Sequence, residues 1–129
     1  MNKEINFSTM VGDKASLYTC TDINCFQLGS VKFEVLEDES DGYRSAMDTV
    51  VVLTTDANKR DYLGEVIIES INDSYQSGYQ LRDIEKDHVW LTFGTDNTDD
   101  WYPSFMFLWN PWTKELKEEE IRNIKDLIK

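Results

Sequence analysis

One short stretch of the sequence concentrates the groups that could do chemistry. Residues 94–103 read GTDNTDDWYP, so three carboxylates, one amide and two hydroxyls come directly before a tryptophan and a tyrosine. A stretch of this kind could hold a hard cation, supply a catalytic carboxylate pair, form a contact surface, or make only a tight turn. The spacing of its residues bears on each of these four interpretations.

The spacing disfavours the two chemical interpretations. An EF-hand loop that began at Asp96 would need Gly at its sixth position and Glu at its twelfth, but Trp101 and Phe107 stand there. Asp99 and Asp100 are adjacent, so in an extended chain they point to opposite sides and cannot share a proton. A divalent-metal-dependent enzyme that uses these carboxylates is kept as an alternative hypothesis.

Few other residues could act in catalysis or ligate a metal. His88 is the single histidine and stands at the start of a predicted strand, and the sequence has no G-x-S-x-G, phosphate-binding glycine loop or H-E-x-x-H motif. Cys20 and Cys25 are separated by four residues and have no second pair, which is a poor zinc signature, so structural thiols are the favoured interpretation. We therefore expect no catalytic residue, no metal and no cofactor.

Charge is the strongest property of the whole chain. Of 129 residues, 25 are acidic and 13 are basic, which gives a net charge of −12. Such a field repels nucleic-acid phosphates and anionic lipids, and it attracts basic partners. The sequence shows no signal peptide and no apolar run that could span a membrane. We therefore expect a cytoplasmic protein that binds neither nucleic acid nor membranes directly.

The alternation of apolar and polar residues predicts the elements that hold these groups. Strands are predicted at 16–20, 30–37, 49–55, 65–71, 79–84, 88–94 and 104–109, with a weaker strand pattern at 3–8. The segments 79–84 and 88–94 form the clearest hairpin. The acidic, glycine-containing stretch 37–45 is predicted to be an exposed loop.

The C-terminal segment 113–129 has the pattern of an amphipathic helix. Thr113 suits the N-cap, glutamates come early, and lysines come late, as the helix dipole favours. The apolar stripe consists of Ile121, Ile124, Leu127 and Ile128. We therefore predict a single domain (1–129) of the α+β class. It would be a mostly antiparallel sheet over 1–110, built as a sandwich or partly open barrel, followed by the helix 113–129.

Two segments resemble a small uncharacterised family of tailed-bacteriophage proteins. They are DGYRSAMD (41–48) and the segment 78–111, in which HVWLTFGTDNTDD precedes an aromatic pair, a proline and an apolar strand. The resemblance implies a phage protein that acts in the cytoplasm of the bacterial host. It implies no activity and no catalytic residue.

The acidic stretches and the aromatic residues beside them favour a contact surface. Tryptophan and tyrosine are frequent interface anchors, and acidic groups steer basic partners. We therefore predict a non-enzymatic binding protein that engages a basic surface of a host protein, for example a counter-defence inhibitor or a nucleic-acid mimic. The predicted contact residues are Asp96, Asp99, Asp100, Trp101, Tyr102, Glu37, Asp38, Glu39 and Asp41.

Two other interpretations remain open. The protein could be a virion or assembly component that oligomerises through the segment 104–109 and the C-terminal helix. The stretch 94–103 could be only a turn, in which aspartate, asparagine and threonine side chains bond to nearby backbone N–H groups. In the contact-surface interpretation, Arg44 could pair with the acidic loop and hold it in place. No oligomeric state is predicted.

Overall fold

The computed structural model describes residues 3–41, 44–98 and 102–112, with backbone only at residues 40 and 41. Within these ranges the chain forms nine strands and one four-residue 3₁₀-helix, Phe7–Met10. The strands are β1 (Lys3–Ile5), β2 (Lys14–Tyr18), β3 (Cys25–Leu28), β4 (Val31–Asp41), β5 (Arg44–Thr54), β6 (Tyr62–Asn72), β7 (Gln76–Asp83), β8 (His88–Asp96) and β9 (Ser104–Trp109). They make one antiparallel sheet in the order β1-β5-β4-β3-β2-β6-β7-β8-β9.

The predicted α+β class is wrong. Of the described residues, 64% are in strands and 4% are helical, and no helix among them has seven residues or more. The described ranges hold no helical layer, because their backbone N–H and C=O groups pair between neighbouring strands of the sheet. The predicted helix 113–129 lies outside the described residues. In the described part of the chain, no helix is long and apolar enough to cross a bilayer.

The acidic stretch 37–45 is not the loop that we predicted. β4 continues to Asp41 and β5 begins at Arg44, and Glu37 pairs with Met47 across this hairpin. Backbone hydrogen bonds hold the ladder whatever the side chains are, and the acidic side chains Glu37, Asp38 and Glu39 are exposed to water. Polar composition alone therefore misidentified a long hairpin as a loop.

A single ring from outside the sheet fills the centre of the fold. Phe7 belongs to the 3₁₀-helix and is only 2% exposed, and the side chain of Asn6 caps this helix by accepting from the N–H of Ser8. The ring of Phe7 makes edge-to-face contacts with four others, at centroid distances of 5.8 Å to Phe26, 6.0 Å to Phe33, 5.0 Å to Tyr79 and 5.4 Å to Phe93. It thereby joins β3 and β4 to β7 and β8.

The sheet coils until its two sides meet. β5 lies second from one edge, yet it contacts β8 and β9 at the other edge. The N–H of Met47 donates to Oγ1 of Thr95 over 3.1 Å, and the N–H of Ser45 donates to the carbonyl of Pro103 over 2.9 Å. The start of β5 is therefore held against the end of β8 and the segment before β9.

A buried carboxylate organises the β7–β8 turn. Asp83 is 1% exposed and accepts from the backbone N–H groups of Glu85 and Lys86, from Nε1 of Trp90 and from Nζ of Lys86, over 2.9–3.3 Å. Burial opposes its ionisation, but the bonds from Trp90 and Lys86 outweigh burial and hold the pKa of this carboxyl below its usual value. A Cβ at Gly64 would lie 2.4 Å from Oδ2 of Asp83, so glycine is required there.

The substitution Phe7→Ala should strongly destabilise the fold. Deleting a buried phenylalanine side chain costs about 3–5 kcal/mol of unfolding free energy. Val11, at the end of the same 3₁₀-helix, is 39% exposed, so Val11→Ala should change stability by less than about 0.5 kcal/mol. Urea unfolding followed by tryptophan fluorescence measures both. Equal stability of Phe7→Ala and wild type would contradict the central role of this ring.

The substitution Asp83→Asn should lower stability by about 3 kcal/mol at pH 7, because an amide NH₂ would face groups that are themselves donors. Since the folded pKa is lowered, the carboxylate's contribution is complete above its unfolded pKa of about 3.9 and is lost as pH falls through the folded value. The difference between wild type and Asp83→Asn should therefore shrink below about pH 4.

Urea unfolding between pH 2 and pH 7 tests this pH dependence. Glu85→Gln is the matched control, because this exposed residue lies in the same turn and contributes only its backbone N–H to Asp83. A constant difference between wild type and Asp83→Asn across the whole pH range would show that the charge of Asp83 does not stabilise the turn.

Candidate protein-binding surface

Three hairpin connections that are distant in sequence lie side by side at one end of the sheet. The β4–β5 hairpin reaches the β8–β9 connection through the bonds Met47–Thr95 and Ser45–Pro103. The β6–β7 turn reaches the same connection from the other side, because the N–H of Asn97 donates to the carbonyl of Tyr75 over 2.6 Å. We call this region the acidic end; its described residues are Glu37, Asp38, Glu39, Asp73, Tyr75, Asp96 and Tyr102.

The β4–β5 hairpin places carboxylates on the outside of the acidic end. Glu37, Asp38 and Glu39 are exposed, and Oε2 of Glu37 accepts from the hydroxyl of Ser45. Ser45 is also the residue that donates to Pro103, so one residue connects the acidic strand to the β8–β9 connection. The hairpin therefore presents negative charge beside Asp96 and the other described residues of GTDNTDD.

The described part of GTDNTDD forms a local turn. Oδ1 of Asp96 accepts from the backbone N–H of Thr98 over 2.9 Å and from its hydroxyl over 2.5 Å. These bonds lower the pKa of the Asp96 carboxyl, so it is ionised at neutral pH. The turn interpretation thus holds for Asp96, which keeps its negative charge at the surface while it shapes the loop.

Two exposed tyrosines flank this turn. Tyr102 is 45% exposed and comes just before β9, and Tyr75 is 62% exposed in the β6–β7 turn. Asp73 holds the second turn, since its Oδ1 accepts from the N–H groups of Tyr75 and Gln76 over 2.8 and 2.7 Å. The acidic end therefore carries one large aromatic side chain on the β6–β7 turn and one on the β8–β9 connection, which suits a contact surface.

The structure brings together those predicted contact residues that it describes. Glu37, Asp38 and Glu39 lie on the hairpin beside the connection that holds Asp96 and Tyr102. The other predicted residues (Asp99, Asp100, Trp101 and the side chain of Asp41) lie outside the described residues. Tyr75 and Asp73 were missed by the sequence interpretation; the only signal was an aromatic residue directly after the turn-forming Asn-Asp-Ser.

Two tryptophans near this stretch in sequence are far from it in the fold. Trp109 ends β9, opposite Leu91, and packs partly buried against the core. The ring of Trp112 packs on His88 at 5.3 Å, at the start of β8. Both rings are partly buried against the core, at the opposite end of β8 and β9 from the acidic end.

One cluster of potential metal ligands occurs among the described residues, and it lies elsewhere. Cys20 Sγ, Cys25 Sγ and a carboxylate oxygen of Asp22 all lie within 4.8 Å of one another. Burial, then the neighbouring Cys20 and Glu34, raise the pKa of the Cys25 thiol to about 12. The sequence interpretation favoured structural thiols, and it did not foresee that Asp22 would lie beside them.

Comparisons with family models, with curated proteins and with solved structures give no match. The function of the acidic end is therefore argued from the geometry and charge of this chain.

The bond between Met47 and Thr95 predicts how the acidic end is held together. Thr95→Val removes the acceptor of the Met47 N–H, so we expect a loss of about 1 kcal/mol and faster hydrogen exchange at Met47. Thr92→Val is the matched control, since Thr92 lies on the same strand and makes no side-chain bond of this kind. NMR measures the hydrogen exchange of the Met47 N–H. If its rate is the same in Thr95→Val as in wild type, this bond does not couple the two hairpins.

Proposed function

We propose that this protein is a small, acidic, non-enzymatic binding protein that engages a basic surface of a bacterial host protein through its acidic end. The observation that carries the proposal is that the acidic segment 37–39 lies beside the connection that begins at Asp96, although the two are more than fifty residues apart in sequence. Neighbouring carboxylates repel each other, and the positive charges of a bound basic partner would offset this repulsion.

Charged and aromatic groups make different contributions to binding at this surface. Exposed carboxylates raise the rate of encounter with a basic partner, but surface charges alone add little affinity. Tyr75 and Tyr102 supply apolar surface that a partner would bury, and this burial contributes affinity. Tyrosine loses little conformational entropy on binding. A partner that offers lysines or arginines around an apolar patch fits this arrangement.

A recess beside the acidic end could receive a partner side chain. It has a volume of about 360 Å³ and is bounded by Met47, Tyr79 and Thr95. Its lining consists of strand residues and of Ser8 from the 3₁₀-helix, so the recess exists before a partner binds. A preformed recess lowers the ordering cost of association.

The setting of this activity is part of the proposal. The segments that resemble a tailed-bacteriophage family, 41–48 and 78–111, include both the β4–β5 hairpin and the β8–β9 connection. A phage protein acting in the host cytoplasm would meet its partner there. A counter-defence inhibitor or a nucleic-acid mimic would each use an acidic surface, and the identity of the partner distinguishes them.

Affinity capture from lysate of the host bacterium, followed by binding measurements with the purified partner, tests the proposal. One variant removes charge (Asp38→Asn with Glu39→Gln), and another removes the rings (Tyr75→Ala with Tyr102→Ala). The ring variant should lose about tenfold or more in affinity. The charge variant should bind more slowly, and wild-type association should slow as salt rises and the Debye length falls from about 10 Å at 0.1 M to about 3 Å at 1 M.

The control variant changes the same charge at the opposite end of the sheet. Asp56→Asn with Glu85→Gln alters two exposed residues, one after the end of β5 and one in the β7–β8 turn. It should bind the partner like wild type. If the control loses as much affinity as the charge variant, or if binding is undiminished at 1 M salt, the acidic end is not the contact surface.

A further inference from the structure

A second site lies in the β2–β3 connection. Two thiols and one carboxylate lie there within 4.8 Å of one another. The ligands of one tetrahedral Zn²⁺ lie roughly 3.3–3.8 Å apart, as follows from Zn–S bonds of about 2.3 Å and Zn–O bonds of about 2.0 Å. Small side-chain rotations would bring the three groups to this spacing. We propose that Cys20, Asp22 and Cys25 form a binding site for a thiophilic divalent cation such as Zn²⁺.

The fold itself sets the positions of these ligands. Cys20 follows β2 and Cys25 begins β3, and these two strands pair, so the cysteines face each other across the connection. Asn24 adopts φ 57°, a left-handed conformation that turns the chain back, and its carbonyl accepts from the N–H of Val35 over 2.9 Å. The backbone of the site is thus held by the sheet before any ion binds.

The three ligands differ in exposure in the way that a surface metal site requires. Cys25 is buried, Cys20 is half-buried, and Asp22 is exposed. The two sulfur ligands therefore lie on the protein side of the site, and the carboxylate lies on the solvent side. When a cation M²⁺ binds, each thiol gives up its proton, so two M–S bonds form and two protons are released to solvent.

A lysine beside the cluster balances its charge. Nζ of Lys32 donates to Oδ2 of Asp22, which leaves the other carboxylate oxygen for a cation. The formal charges of two thiolates, one carboxylate, one ammonium group and one divalent cation sum to zero. The ligands, Lys32 and the cation are therefore neutral as a set, and Glu34 beside Cys25 contributes one negative charge outside this set.

The cluster opens onto a polar cleft. This cleft has a volume of about 500 Å³, and its lining includes Cys20, Lys32 and Asp56. Three protein ligands leave the fourth tetrahedral position for water or for a small molecule in the cleft. Two thiolates select Zn²⁺ or Cd²⁺ over Mg²⁺ and Ca²⁺, which prefer oxygen ligands.

Metal titration of the reduced full-length protein tests this proposal. A thiol assay first establishes that both cysteines are free. Cd²⁺ is then added, and the ultraviolet charge-transfer band of cadmium thiolate is followed. We expect one ion per chain, competition by Zn²⁺, and no competition by Mg²⁺. In Cys20→Ser the band should fall to the level of a single weakly bound thiolate.

Two further variants separate a ligand role from a general effect of negative charge. Asp22→Asn should lower Cd²⁺ affinity by at least about tenfold, the loss typical of one supporting residue in a metal site. Asp56→Asn removes a carboxylate from the cleft wall outside the ligand set and should leave affinity unchanged. Cys20 and Asp22 are chosen because both are more exposed than Cys25, whose substitution would disturb the core.

Thermal unfolding provides a second readout. Zn²⁺ should raise the Tm of the wild-type protein and of Asp56→Asn, but not that of Cys20→Ser. The proposal is overturned if the reduced wild-type protein binds no Cd²⁺ or Zn²⁺, or if Cys20→Ser binds them with wild-type affinity and band intensity.

Discussion

The packing of Phe7 against four rings is the constraint on which the rest of the structure depends. The hydrogen bonds between neighbouring strands do not determine whether a nine-stranded antiparallel sheet coils until its two sides meet, because the same strand pairs can form in an open sheet. The ring of Phe7 contacts Phe26 and Phe33 of β3 and β4 as well as Tyr79 and Phe93 of β7 and β8, and Phe26 also stacks directly on Phe93 at 5.1 Å. Burial of these rings stabilises the coiled form, and only in that form do β5 and β8 come close enough to bond.

The two ends of the coiled sheet have different chemistry. At one end, three hairpin connections present carboxylates and tyrosines to solvent, and bonds such as Met47–Thr95 hold them in register. Elsewhere, the β2–β3 connection gathers two thiols and a carboxylate beside Lys32. The first arrangement suits a large, basic macromolecule, and the second suits a single soft cation. The two groups of residues share no member, so each can be substituted separately, although Lys32 and the acidic residues 37–39 lie on the same strand, β4.

Much of the strand pattern could be predicted from local sequence, because side-chain alternation reports which residues face the core. The predicted hairpin 79–84 with 88–94 is confirmed as β7 and β8. The acidic segment 37–45 was misassigned because its polar side chains gave no alternation, whereas its backbone pairs like any other strand. The α+β class failed because it rested on the segment 113–129, while the described elements build one antiparallel sheet without a helical layer.

The sequence by itself determined the acidic character of the protein, its β-rich composition and the residue types able to contact a partner. These properties are sums over residues or depend only on sequence neighbours, so they follow from the sequence without the tertiary structure. Only the tertiary structure decided that Glu37 and Asp96 share one end, that Tyr75 joins them, and that the ligand atoms of Cys20, Asp22 and Cys25 lie within 4.8 Å of one another. Such neighbours arise from strand order and from coiling of the sheet, which depend on contacts between residues distant in sequence.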